Sequence, residues 1–180
     1  MGYGWEGELV RLVPLEKERH LENCLRWVND PEVTETTLMG DLPLSRLAEE
    51  EFFDRMAQPS QAPSDIVLAV ETRDRSEHIG LAGLHVINWR HQTAQTGTII
   101  GDAEFRGRGF GRDASRLRTR YAFEVLGLRM LLSEVFSENT ASLRMLKGSG
   151  YKEAGRIPRR YWKRGAYRDV VLLYCEREPA

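Results

Sequence analysis

The chain of 180 residues (20.7 kDa) has the length of one domain, and 41% hydrophobic against 29% charged residues is the balance of an ordinary globular fold. At this size a core buries roughly 70% of the unfolded surface without staples. Cys24 and Cys175 stand far apart, with no CxxC or Cys/His spacing, so no disulfide framework and no metal site are expected, and a reducing, cytoplasmic setting is. The first residues carry no basic-then-apolar leader pattern and no apolar run reaches the roughly 18 residues of a membrane span, so secreted and membrane-spanning classes are not expected.

The net charge of −1 conceals an asymmetry. Residues 1–100 carry 9 Lys and Arg against 17 Asp and Glu, whereas residues 101–180 carry 17 against 10. The basic excess is mostly arginine, densest over residues 104–120 and 156–168, and the guanidinium fork suits phosphate. The acidic half is a candidate surface for a cationic partner.

In chain order, residues 8–12 alternate as a strand, and Lys17–Val28 sets Leu21, Leu25 and Val28 on one helical face before Asn29-Asp30-Pro31 stops it. A second helix is predicted over residues 45–56, then a loop over 58–64. Apolar runs at 66–70, 79–87 and 95–100, separated by polar turns, predict an antiparallel meander. A glycine-rich turn at 106–111 leads into a helix over 112–126, which Gly127 ends. A strand at 130–135, a short helix Thr140–Lys147 and a closing hairpin over 156–174 complete the chain. The strand–helix–strand step from Ile100 to Met130 requires one parallel crossover in a mostly antiparallel sheet, hence an α+β fold in a single domain, 1–180.

The strongest chemical signal is Arg106-Gly107-Arg108-Gly109-Phe110-Gly111-Arg112 at that strand-to-helix turn. Glycines let the backbone turn its N–H groups inward, and the next helix adds its unpaired first-turn donors, which together make a site for phosphate oxygens. The dinucleotide-binding G-x-G-x-x-G pattern fails because Arg112 stands where the third glycine belongs, and no Gly-Lys-Ser/Thr follows for a P-loop.

Read as R-x-x-G-x-G, the segment resembles the pyrophosphate loop of the GNAT N-acetyltransferases, which use acetyl-CoA. Residues 137–151, with Asn139, Ser142, Gly150 and Tyr151, are similar to the same family's N-x-x-S…G-[FY] stretch, and residues 27–33 and 156–174 resemble its RimJ/RimL-like and spermidine-acetylating branch. The resemblance implies a sheet splayed after its fourth strand, here residues 98–100, with the pantetheine arm paired on the exposed backbone of Ile99 and Ile100. It implies phosphate contacts from Arg106, Gly107, Arg108, Gly109, Phe110, Gly111 and Arg112, and a coenzyme contact from Asn139.

Acetyl transfer to an amine requires removal of a proton from the ammonium, a donor for the oxyanion and help for the departing thiolate. The oxyanion donor is expected from backbone near Ile100. Many relatives place a tyrosine acid seven residues after the asparagine, where this chain has Leu146, so Ser142 is the expected proton donor to the sulfur. Glu134 and Glu104 are the candidate bases, with Asp102 between them in sequence. Trp27, Glu32, Glu35 and Asp41, with Tyr161 and Trp162 of the hairpin, are candidate acceptor contacts through charge and cation–π attraction. His85 reads as a packed core histidine, and His20, His78 and His91 as surface positions.

The expected reaction is direct attack of a primary amine (a protein N-terminus, a polyamine or an amino sugar) on acetyl-CoA in a ternary complex, with a homodimer possible. A silent acyl-CoA-binding protein of the same fold is the alternative. A nucleic-acid surface on the basic hairpin is disfavoured by the sequence pI of 6.5 and the acidic first half.

Overall fold

A computed structural model of the protein describes residues 5–58 and 60–177; residues 1–4 of the expected leaderless start and Pro59 of the expected loop lie outside the described residues. The elements are β1 (Trp5–Glu6), β2 (Val10–Pro14), α1 (Lys17–Val28), α2 (Pro31–Thr34), α3 (Arg46–Met56), β3 (Ile66–Thr72), β4 (His78–Asn88), β5 (Thr93–Ile100), α4 (Phe110–Glu124), β6 (Met130–Phe136), α5 (Thr140–Lys147), β7 (Lys152–Lys163) and β8 (Ala166–Glu176), with one 3₁₀ turn at Ala103–Phe105. They form an eight-stranded sheet in the order β1-β2-β3-β4-β5-β6-β8-β7. Every described pair is antiparallel except β5–β6, so the expected mixed, mostly antiparallel α+β sheet is the architecture found. The short α2 was not anticipated: Asp30 caps it, accepting from Glu32 N–H at 2.8 Å, and Pro31 fits its first turn, so the predicted stop signal also starts a helix.

Strand alternation assigns the two faces. Leu68, Val70, Ile79, Ala82 and Leu84 join Ala114, Leu117, Tyr121 and Ala122 of α4 in the main core. Leu81, pointing the other way, joins Leu21, Cys24 and Phe53 beneath α1 and α3. At the outset of the sheet, Glu71 is buried but fully engaged: Arg11 donates to it at 2.6 Å, Arg19 closes from the other oxygen, and His20 lies at 3.1 Å.

The parallel β5–β6 pairing is short. It runs Thr93↔Met130, Ala94↔Leu131, Gln95↔Leu132 and stops, while β6 continues against β8 as far as Phe136↔Val170. Beyond the last pair only side chains bridge the gap: Thr96 Oγ1 donates to Leu132 O at 3.2 Å, and Ser133 Oγ lies 3.5 Å from Thr96 O. The sheet therefore splays at the strand the sequence indicated, numbered β5 here because the two-residue β1 precedes it.

Candidate active site

The phosphate-loop sequence folds into a row of unused donors. Arg106 N–H closes the 3₁₀ turn on Ala103 O, and the first bond of α4 is Asp113 N–H to Gly109 O at 3.0 Å. Among the described residues, no backbone N–H from Gly107 through Arg112 has an acceptor in the protein. Gly107 (φ 73°) and Gly109 (φ 94°) adopt left-handed backbone, and a Cβ on Gly107 would meet open space, so the loop is bare where a ligand approaches. The helix start is pinned from behind, where the Asp113 carboxylate takes the N–H groups of Leu9 and Val10 at 2.8 and 3.0 Å. These features fit a pyrophosphate: a fixed cradle of N–H groups at a helix N-terminus, opening onto a cleft of about 590 Å³.

That cleft runs from the loop to the split. Gly101 N–H donates to Ile79 O at 2.9 Å on the β4 side, so by two-residue alternation the N–H groups of Thr98 and Ile100 point at the unpaired β6 side. This is an exposed strand edge inside the molecule, able to pair with the amides of an extended ligand. Arg118 of α4 braces it from below: Nη1 donates to Gly97 O at 2.8 Å and Thr98 Oγ1 at 2.6 Å, Nη2 to Ser115 Oγ and Tyr151 OH. Arg118 is 1% exposed, and among the described residues it forms no ion pair and its Nε lacks any acceptor. A buried positive charge thus lies directly under the opened strand.

A second cavity, also about 590 Å³, starts between α1, α3 and the sheet and reaches the same split. Thr98, Ile99, Asn139 and Ser142 wall both spaces, so the two meet where β5 and β6 part. Asn139 caps α5 through Ser142 N–H (3.0 Å) while its amide donates to Thr36 O (3.2 Å), tying the loop after α2 to the junction. Glu134 enters the second cavity from β6 and accepts from Tyr161 OH at 2.6 Å; that bond raises the Tyr161 pKa, keeping the phenol protonated. The roof is fixed by buried Lys163, which meets Asp41 at 2.9 Å and Met39 O at 2.6 Å, and by Arg164 on Thr34.

The structure brings Ile99, Ile100, Arg106, Gly107, Gly109, Gly111, Arg112, Asn139, Ser142 and Glu32 together along the first cleft, and Trp27, Glu134 and Ser142 in the second. Others do not reach either space. Glu104 is exposed on the 3₁₀ turn, Glu35 is exposed at the end of α2, and Trp162, 61% exposed, packs on Tyr167. Phe110 turns inward onto Phe105 and the main core, and Arg108 folds over the Phe110 ring and Glu104 O. Arg106 spends its guanidinium on Ile100 O (3.1 Å) and Gly101 O, holding the strand end instead of extending to solvent. Asp102 is held low in pKa by Arg26 and bonded by Trp27 Nε1 (3.3 Å), which orients the indole.

The histidine expectations are reversed. His20 and His78 are buried and stack at 4.5 Å, because Glu71 and Trp27 enclose them, whereas His85 is half-exposed beside Asp65 at 3.1 Å. Two further residues were missed. Glu49 is 6% exposed yet lines the second cavity, and Arg118 sits on the buried face of α4. Each had a sequence signal: Glu49 lies one helical turn before Phe53, and Arg118 lies between Ala114 and Ala122 at four-residue spacing, so both are charges on an apolar stripe. Among the described residues no group of His, Cys, Asp and Glu could hold a metal, and no helix is long and apolar enough to cross a membrane.

A splayed mixed sheet with a glycine-rich anion cradle at the crossover helix defines an acyltransferase class, and comparison agrees. Residues 10–152 match the Acetyltransferase (GNAT) domain, and the chain belongs to that family, as an acetyl-CoA-dependent acetyltransferase. It is 31% identical over 162 residues to alpha/beta-tubulin-N-acetyltransferase 9 of Drosophila melanogaster, covering 84% of this chain and 79% of the fly protein. It is 31% identical over 101 residues to the uncharacterized N-acetyltransferase YoaA of Bacillus subtilis, spanning 56% of each chain. In fold it is similar to spermidine N-acetyltransferase from Vibrio cholerae in complex with CoA and spermine (TM-score 0.82, 24% identity, 93% of this chain and 95% of the other).

Proposed function

We propose that the protein transfers the acetyl group of acetyl-CoA to a primary amine by direct attack in a ternary complex. The observation that carries this reading is the meeting of the two cavities at Thr98, Ile99, Asn139 and Ser142, which gives a thioester and an amine separate entrances to one point. Acetyl-CoA supplies the activated acyl group. The N–H row of residues 107–112 holds its pyrophosphate, with Arg112 at the cleft wall, and the free edge of β5 pairs with its pantetheine amides.

At the junction the chain's own groups divide the work. Glu134 accepts the proton of the incoming ammonium, and its bond from Tyr161 OH fixes the carboxylate's direction. Ile100 N–H donates to the oxygen that gains charge as the amine attacks, and Arg118, fixed under Thr98, adds positive potential there. Ser142 Oγ donates to the departing sulfur, since Leu146 is buried and apolar where many relatives have tyrosine. The acceptor approaches between α1 and α3, past Trp27 and Phe52, so it is an amine on an apolar arm; polyamines, amino-terminal peptides and amino sugars are the compounds to compare. Both cysteines are buried and unpaired, which supports work in a reducing compartment such as the cytoplasm.

The test is thiol release from acetyl-CoA against a panel of those amines. Turnover on one class supports the reading, and acetyl-CoA binding with no turnover on any amine leaves the silent acyl-CoA binder in its place.

A further inference from the structure

The second cavity contains a charge that the reaction does not use. Glu49 of α3 is 6% exposed, and what remains open faces the cavity. Among the described residues its carboxylate has no hydrogen-bond donor and no ion pair, although Arg46, Arg55 and Lys17 stand on the same or the adjacent helix. Arg46 is committed to Glu22 at 2.7 Å, Lys17 to Asp54 at 2.5 Å, and Arg55 lies over the Phe52 ring. Every nearby cation is thus turned outward. Cys24, which packs with Leu81 and Phe52, is close enough for the Glu49 charge to disfavour its thiolate.

A carboxylate removed from water without a partner is costly, and it is retained where a ligand supplies the partner. Here the neighbouring walls are Phe52, Cys24 and Leu81, on the strand next to β5, so Glu49 lies across β4 from the split, at least one strand spacing of about 4.8 Å away. Glu134 occupies the reacting end of the same cavity. Two acids separated by an apolar passage match two cations separated by an apolar chain.

We infer that Glu49 is a specificity-determining residue of the acceptor site, receiving a second cationic group of the acceptor, distinct from the amine that is acetylated. The inference rests on the reading of this cavity as the acceptor site. The ammonium ion enters a dry pocket where its charge-assisted hydrogen bond to Glu49 is stronger than in water. It restores the ionised carboxylate, which burial alone disfavours by raising its pKa.

The experiment compares kcat/KM for a homologous series of α,ω-diaminoalkanes with n-alkylamines of matching length, in the wild-type chain and in Glu49→Gln. The expected wild-type result is a diamine preference of about tenfold or more at one best chain length. In Glu49→Gln the preference falls to near unity while the alkylamine values stay within about twofold. A wild-type chain with no diamine preference, or a preference that survives in Glu49→Gln, overturns the inference and leaves the acetyltransferase reading standing. A chain that acetylates no amine of either series overturns both. The wild-type ratio requires no variant, so a folding defect in Glu49→Gln cannot mask the answer.

Discussion

Glu71 and Glu49 are both buried carboxylates on the α1 side of the sheet, and their surroundings are opposite. Around Glu71 burial is outweighed by Arg11, His20 and Arg19, so its pKa is lowered and the acid stays charged inside a closed network. Around Glu49 nothing offsets burial, and its pKa is raised. The contrast extends to whole regions. Where β2, β3 and α1 meet, polar groups satisfy one another and hold the fold; at the split, the N–H row of 107–112, the β5 edge and Glu49 wait for partners the chain does not supply. Satisfied burial marks structure, and unsatisfied burial facing a cavity marks a binding site.

If the comparison is sound, perturbing the first region changes stability and perturbing the second changes chemistry. The largest effect is expected for Glu71→Ala, which strands Arg11 and Arg19 beside buried His20; a loss of about 3 kcal/mol in denaturant unfolding is the expectation. A change under 1 kcal/mol, roughly a surface effect, would break the comparison on that side.

The same region sets the acid response. Burial, then the charge of nearby His20, lowers the His78 pKa from 6.5 to about 4. The folded state therefore binds this proton less readily than the unfolded chain, and stability present above pH 6.5 is lost as pH falls through about 4, by no more than about 3 kcal/mol. Glu71, also lowered, loses its contribution below its ordinary 4.5, so the two slopes have the same sign. Replacing His78 with Asn is expected to flatten the upper part of the curve, measured as midpoint denaturant concentration against pH. An unchanged slope would show that His78 does not titrate in this window.

On the other side, Ser142→Ala is expected to lower kcat by about 100-fold, roughly 2.7 kcal/mol, while acetyl-CoA affinity holds within about threefold. An equal fall in affinity would make Ser142 a positioning residue of the junction, acting through the α5 cap with Asn139.

Glu49 should respond with the opposite sign to Glu71. Its raised pKa means the folded state holds the proton better, so stability is lost as pH rises above 4.5 and stays lower at neutral pH. Glu49→Gln removes that penalty and is expected to gain up to about 1 kcal/mol at neutral pH, seen as a higher melting temperature. A neutral-pH loss of stability would mean that Glu49 has a structural partner after all.

Much of this was legible in the chain. Lys17–Val28 and Thr140–Lys147 are the predicted helices to the residue, since their apolar spacing and stop signals agree, and the 106–112 motif identified the ligand turn. Within that motif, Arg106, Arg108 and Phe110 carried a misleading signal. Composition suggested side chains reaching for phosphate, whereas Arg106 secures strand carbonyls and Phe110 anchors the turn in the core. His20 and His78 were hidden for a different reason, because the acid and indole that enclose them arrive from β3 and from another turn of α1. Tyr161 and Glu134, 27 residues apart, were each named, but the hydrogen bond that joins them depends on strand register and is invisible in sequence.

The central claim is that the bare N–H row holds the coenzyme, and calorimetric titration of acetyl-CoA into wild-type protein and Gly109→Val tests it most directly. Gly109 sits at φ 94°, and a Cβ at this position would lie 3.3 Å from Leu9 Cδ1, so a β-branched residue must distort the turn. The account predicts clear binding to the wild type and a loss of about tenfold or more in the variant, with its unfolding still cooperative. Equal affinity in both, or no binding to either, would contradict it.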